Sequence, residues 1–143
     1  MADNYAEFSA EIQHLTEDEA KWWEDILDCL NSETHLDKIP KSCSDNPYEV
    51  ESAIDIQSIG NDTCLWIHGE SGVTDGITDL VQLFFQQFRP NAFLPIETAF
   101  YCSKPIVGEF GGAWIVISAN EVRCGDTSSA IREAMKEMGY VEE

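Results

Sequence analysis

The chain has 143 residues, 43% of them apolar, a size and composition that suit one domain with a real core and exclude wholesale disorder. It carries 27 acidic and 8 basic residues, net −19, which excludes direct attraction to nucleic acid phosphates or anionic lipid. No apolar run approaches the roughly 20 residues of a membrane span, and the opening Met1-Ala2-Asp3-Asn4 lacks a signal-peptide pattern, so a cytoplasmic protein is expected.

Tyr5 to His14 alternates Ala6, Phe8, Ala10 and Ile12 with polar residues, the period of a half-buried strand. Thr16-Glu17-Asp18-Glu19 then fits a capping box, with Thr16 as N-cap and Glu19 three residues on. Trp23, Ile26, Leu27 and Leu30 follow at helical spacing, which predicts a helix over about 16–30. Its solvent side carries Glu17, Glu24 and Asp28, with Lys21 among them. Trp22 lies off the stripe, as a side chain packed under a loop or as an exposed aromatic anchor. Asn31 to Pro47 holds two prolines and no apolar period, and reads as a long loop.

Tyr48, Val50, Ile54 and Ile56 alternate with Glu49, Glu51 and Asp55, which predicts a second strand. Gly60-Asn61-Asp62 is a turn signal, and Thr63 to His68 completes a hairpin. After Gly69-Glu70-Ser71-Gly72, a helix from Thr74 or Asp75 to Phe88 presents a stripe of Ile77, Leu80, Val81, Phe84 and Phe88, widened by Phe85. Phe93 to Cys102 is a fourth strand by alternation. Ser103 to Gly112 is a glycine-containing loop. Ala113 to Ser118 is an interior fifth strand, and Glu121 to Cys124 a short extra one. Thr127 or Ser128 caps a final helix lined by Ala130, Ile131, Ala134, Met135 and Met138, with Gly139 at its end.

This order predicts an α+β domain spanning 1–143. Its antiparallel sheet has about five strands and two helices on one face. A ferredoxin-like βαββαβ core carries an extra strand and a C-terminal helix.

The stretches Leu65-Trp66-Ile67-His68-Gly69-Glu70-Ser71-Gly72, Asp79 to Pro90, and CSKPIVGEFGGAWIVIS from Cys102 to Ser118 resemble a group of small acidic proteins. Bacteriophages, prophages and other bacterial mobile elements encode that group. The resemblance covers 63–118 best. It implies a bacterial-virus accessory protein that binds host machinery, and it brings no catalytic residues.

The five cysteines (Cys29, Cys43, Cys64, Cys102 and Cys124) show no C-x-x-C spacing and read as reduced, mostly buried thiols. His68 and Cys102, both near strand ends, have the chemistry of a base and a nucleophile, against the plainer roles of structural His and buried Cys. Glu70, Asp75 and Asp79 cluster at a helix start, where carboxylates complement the helix dipole or hold a hard cation. Gly108-Glu109-Phe110-Gly111-Gly112 lacks the Lys-Ser/Thr of a phosphate loop and reads as a hairpin connection. Beside it, Lys104, Ile106, Val107 and Phe110 form a candidate contact tip. No metal or cofactor is expected.

Residues 1–79 hold 19 acids and 3 bases, whereas 80–143 hold 8 and 5. Glu17, Glu24, Asp28, Glu49, Glu51 and Asp55, with Lys104 and Phe110, are therefore the candidate partner-binding residues. A shared acidic surface would imitate a phosphate ladder and suit a host protein with a basic surface, such as a nucleic-acid or defence enzyme. A small hydrolase or transferase built on His68, Cys102 or Glu70, and a self-assembling structural module, are the alternatives.

Overall fold

A computed structural model describes residues 4–104 and 110–140. Its strands are β1 (Asn4–Ile12), β2 (Ile54–Ile59), β3 (Asp62–Gly69), β4 (Phe93–Cys102), β5 (Gly111–Ser118) and β6 (Val122–Asp126). Its helices are α1 (Glu17–Ser32), α2 (Lys41–Ser44), α3 (Pro47–Ser52), α4 (Asp75–Phe88) and α5 (Thr127–Glu137). The six strands form one antiparallel sheet in the order β2-β3-β1-β4-β5-β6. The fold is α+β.

Period-two alternation decides which side chains point into the core. Phe8 pairs with Thr98 and Gly69, and Ile12 with Leu65, so these residues share one face. Ile54, Ile67, Leu94, Ile96 and Ile117 continue it across the sheet. Helices α1 and α4 cover that face, and their side chains join the same buried cluster. Trp23 and Phe84 are fully buried, with ring centroids 5.3 Å apart. Trp22 packs laterally on Trp23, Phe84 and Phe88 rather than standing out as an anchor.

The start of α1 forms as its sequence dictates. The Glu19 N–H donates to Thr16 Oγ1 at 3.1 Å, and the Thr16 N–H donates to Glu19 Oε1 at 2.8 Å. Glu19 has a second role that the cap motif does not reveal. It is only 4% exposed, and it meets Arg89 at the C-terminus of α4. Arg89 Nε donates to Oε2 at 2.8 Å and Nη2 to Oε1 at 3.0 Å. Nη2 also donates to the carbonyls of Gln13 and His14. One guanidinium thus ties together the β1–α1 turn, the start of α1 and the end of α4.

Two expectations are corrected. Residues 31–53 are not a loop followed by a strand. They hold a 3-10 turn at Leu36–Lys38 and the helices α2 and α3, and β2 begins only at Ile54. Pro47 sits in the first turn of α3, where its missing N–H is not needed. Val50 is buried while Tyr48 is 80% exposed. The segment plugs the core with Ile39, which follows the 3-10 turn, Cys43 of α2 and Val50 of α3. Cys43 is sealed against α4, where its thiol donates to the Gly76 carbonyl. A Cβ on Gly76 would come within 2.6 Å of Val50 Cγ2, so only glycine permits this approach.

The final helix is the second correction. Its cap is Asp126, which accepts from the Ser129 N–H, rather than Thr127 or Ser128. Thr127 instead bonds the Gly112 backbone through its hydroxyl, accepting from N–H and donating to C=O. The apolar stripe of α5 buries nothing. Among the described residues, no helix is long and apolar enough to cross a membrane.

Removing the cation from a buried pair leaves a stranded charge, so Arg89→Ala is expected to destabilise the protein by about 3 kcal/mol in urea unfolding. Adding Glu19→Gln recovers part of that loss, because the stranded charge is then gone. A loss of no more than about 0.5 kcal/mol would show an ordinary screened surface pair.

The pair also predicts acid sensitivity. Burial works to raise the Glu19 carboxyl, but hydrogen bonds from Arg89 and Thr16 and the nearby guanidinium charge outweigh it and hold it below its ordinary value of 4.5. A carboxyl lowered on folding contributes its full stabilisation above the unfolded value and loses it as pH falls through the folded one. The stability advantage of the native chain over Glu19→Gln is therefore constant near neutrality. It shrinks as the pH drops below 4.5, as read by denaturant titrations across that range.

Candidate functional site

Residues seven and four apart on a helix share a side, so Glu17, Glu24 and Asp28 lie along one exposed flank of α1. Asp18 and Asp25 add to it, and Lys21 is held by Asp25 at 3.3 Å. The flank runs toward the C-terminus of α1, where α3 packs beside it. There Glu49 and Glu51 line a cleft of about 450 Å³ with Glu33, Asp45 and Tyr48. Lys41 lies 3.7 Å from Asp45. Residues 16–55 hold 12 acids and 3 bases, net −9, and two of those three bases are engaged by neighbouring carboxylates.

Asp55 is separated from this group. On β2 its neighbours Ile54 and Ile56 face the core, so Asp55 projects from the outer face of the sheet. Its Oδ2 lies 2.7 Å from His68 Nε2 on β3. The His68 ring stacks on Trp66 with centroids 3.7 Å apart, and the Trp66 indole N–H donates to Ser9 Oγ at 2.8 Å. Next along β1, the Tyr101 hydroxyl donates to Glu7 at 2.7 Å, and that bond, more than burial, pushes the phenol up to about 12. Tyr5 stacks on Tyr101. The outer face is thus an open surface of aromatic rings tied to carboxylates.

Ser9, His68 and Asp55 place the residue types of a hydrolytic triad on three adjacent strands. The wiring differs from a nucleophile site, where the hydroxyl is hydrogen-bonded to the base. Here the Ser9 oxygen accepts the Trp66 indole, while His68 turns to Asp55. Sequence inspection missed this grouping because Ser9, Asp55 and His68 are far apart in the chain. The only available signal was that each occupies an outward position of an alternating strand.

The other pairings considered from sequence do not assemble. Cys102 is aligned with the inward Phe8 and Thr98 positions, whereas His68 faces outward, so the sheet lies between them. Asp79 accepts from the Ser42 hydroxyl at 2.6 Å, Asp75 occupies the first turn of α4, and Glu70 follows β3. Among the described residues, no three His, Cys, Asp or Glu side chains are grouped to hold a metal. Lys104 is exposed after β4. Phe110 is 52% exposed and borders a depression with Tyr5, Glu70 and Tyr101. Ile106, Val107, Gly108 and Glu109 lie outside the described residues.

The thiols differ in burial, and their reactivity is expected to follow. Burial pushes the Cys43 thiol up to about 11, and burial with an Asp62 hydrogen bond also raises Cys64. Cys124 is exposed. Since thiolate is the reactive form, maleimide near neutral pH is expected to label Cys124 in the folded chain while Cys43, Cys64 and Cys102 react only after denaturation. Mass mapping checks this, and rapid labelling of Cys43 in the folded state would contradict the packing of α2 on α4.

No family model, curated protein or solved structure matches this chain.

Proposed function

We propose that the protein acts by stoichiometric binding, offering the acidic flank of α1 and α3 to a macromolecule with a basic surface. The observation that carries this reading is the placement of Glu17, Glu24, Asp28, Glu49 and Glu51 along the same two packed helices, where few cations neutralise them. From Glu17 to Asp28 the axis rises about 16 Å. Glu17, Asp18, Glu24, Asp25 and Asp28, less the one charge that Lys21 offsets, give about one net charge per 4 Å, comparable to the 3.4 Å phosphate spacing along one strand of a duplex. The Arg89–Glu19 tie fixes α1 to the core, so this array is preorganised and its binding loses little conformational freedom.

A protein that normally grips nucleic acid is the partner that best fits such an array. The resemblance to phage and mobile-element proteins supports an accessory role in a bacterial host cell, with inhibition of a defence enzyme as its concrete form. The outer-face acids, Asp55 included, lie outside the binding flank in this reading. Lys104 and Phe110 form a separate exposed point. The strand order β2-β3-β1-β4 supports a ferredoxin-like description of the core, with β5, β6 and α5 appended.

The test is affinity capture from a bacterial lysate with native chain and with Glu17→Lys/Glu24→Lys/Asp28→Lys as bait. All three positions are exposed, so the variant is expected to keep its fold by circular dichroism. A partner held at about 0.05 M salt and released at about 0.5 M, and lost from the variant, is the expected result. Capture that is indifferent to both salt and charge reversal would refute the acidic-flank reading.

A further inference from the structure

Helix α5 is well made yet buries none of its own side chains. Asp126 caps its start, and Gly139 at φ 83° follows its end. Ile131, Met135 and Met138 recur at i, i+4 and i+7, one face of a helix, and are 58%, 42% and 67% exposed. A helix of 11 residues is marginal by itself, and most helices in proteins are stabilised by burying such a face.

The inner face of the sheet is incompletely covered near the root of this helix. Past the N-terminus of α4 lies an open groove of about 540 Å³, lined by Phe100, Ile115, Val122 and Cys124 together with Asp75 and Asp126. Val122 and Cys124 belong to β6, an edge strand of the sheet. An exposed apolar helix face and a largely apolar groove therefore adjoin through Asp126, which caps α5 and lines the groove.

Charge selects what covers them. Residues 111–143 carry six acids and three bases, net −3, against −16 for residues 1–110. Two copies meeting elsewhere would press more like charge together than at this end, which carries a small share of the excess. A basic partner is drawn instead to the acidic helices. A two-fold interface requires a patch that complements itself, and a helix face beside a groove meets that condition.

We propose that two copies of this chain associate about a two-fold axis, each α5 laying Ile131, Met135 and Met138 into the groove beside β6 of the other. The interface is largely apolar between two strongly acidic molecules, so salt strengthens it by screening their repulsion. That sign is opposite to the one expected for a basic partner at α1 and α3, which keeps the two readings separable.

Sedimentation equilibrium of the full chain from about 1 μM to about 1 mM tests the idea. A monomer–dimer equilibrium that tightens between about 0.05 and 0.5 M NaCl is expected. Ile131→Glu/Met135→Glu on the helix face, and separately Val122→Glu in the groove, are each expected to weaken it at least about tenfold with the circular dichroism spectrum retained. A chain that stays monomeric throughout, or a dimer that either folded variant leaves intact, overturns the proposal. If Val122→Glu does not fold, maleimide labelling of Cys124 in the native chain decides for the groove. It slows with rising protein concentration when the groove is occupied, and a constant rate overturns the proposal.

Discussion

The contact between Arg89 and Glu19 is the constraint on which the rest of the structure depends. A carboxylate that is nearly fully buried is tolerable only when paired and hydrogen-bonded. Glu19 meets that condition by serving two neighbours, the Thr16 backbone and the guanidinium. Arg89 in turn satisfies backbone carbonyls in the turn before α1, where His14 adopts a left-handed conformation. The pair sets where α1 begins and α4 ends. With those ends fixed, Trp23 and Phe84 meet over the sheet and the core closes beneath them.

The pinned helices also decide how charge is displayed. The two strands bearing Phe8 and Leu65 leave one face of the sheet for the core and the other for solvent. Helical carboxylates therefore collect on the side of the molecule that carries α1 and α3, while Glu7, Glu11 and Asp55 project from the opposite sheet face. On that face aromatic rings temper the acids. Trp66 and His68 stack beside Asp55, and Tyr101 donates to Glu7. The C-terminal end differs again, since Ile131, Met135 and Met138 are exposed there and its acids are interspersed with bases. Three surfaces of different chemistry thus arise from one sheet and the helices that cover one side of it.

Local signals made much of this legible in advance. The Thr16–Glu19 box, the stripe of Ile77, Leu80, Val81 and Phe84, and the alternation from Phe93 to Cys102 each encode an element within a few neighbouring residues. Hydrophobic period and cap chemistry act over one or two turns, so a single segment contains the whole instruction. The stretch 31–53 failed the same treatment for a physical reason. Helices of four and six residues have no room for a period, and each is held by one buried side chain contacting a distant element. Alternation at Tyr48, Val50, Ile54 and Ile56 was real but spanned a helix end and a strand start.

By itself the sequence determined the strongly acidic balance, the capped helices, the alternating strands and the α+β class, because these follow from composition and short-range pattern. The tertiary structure alone decided that Glu19 meets Arg89, that Asp55 parts from the acids of α1 and α3, that His68 and Cys102 lie on opposite faces of the sheet, and that the apolar stripe of α5 stays uncovered. Each of these depends on strand register and on which helix packs where. Those are set by contacts between residues tens of positions apart, which no local pattern records.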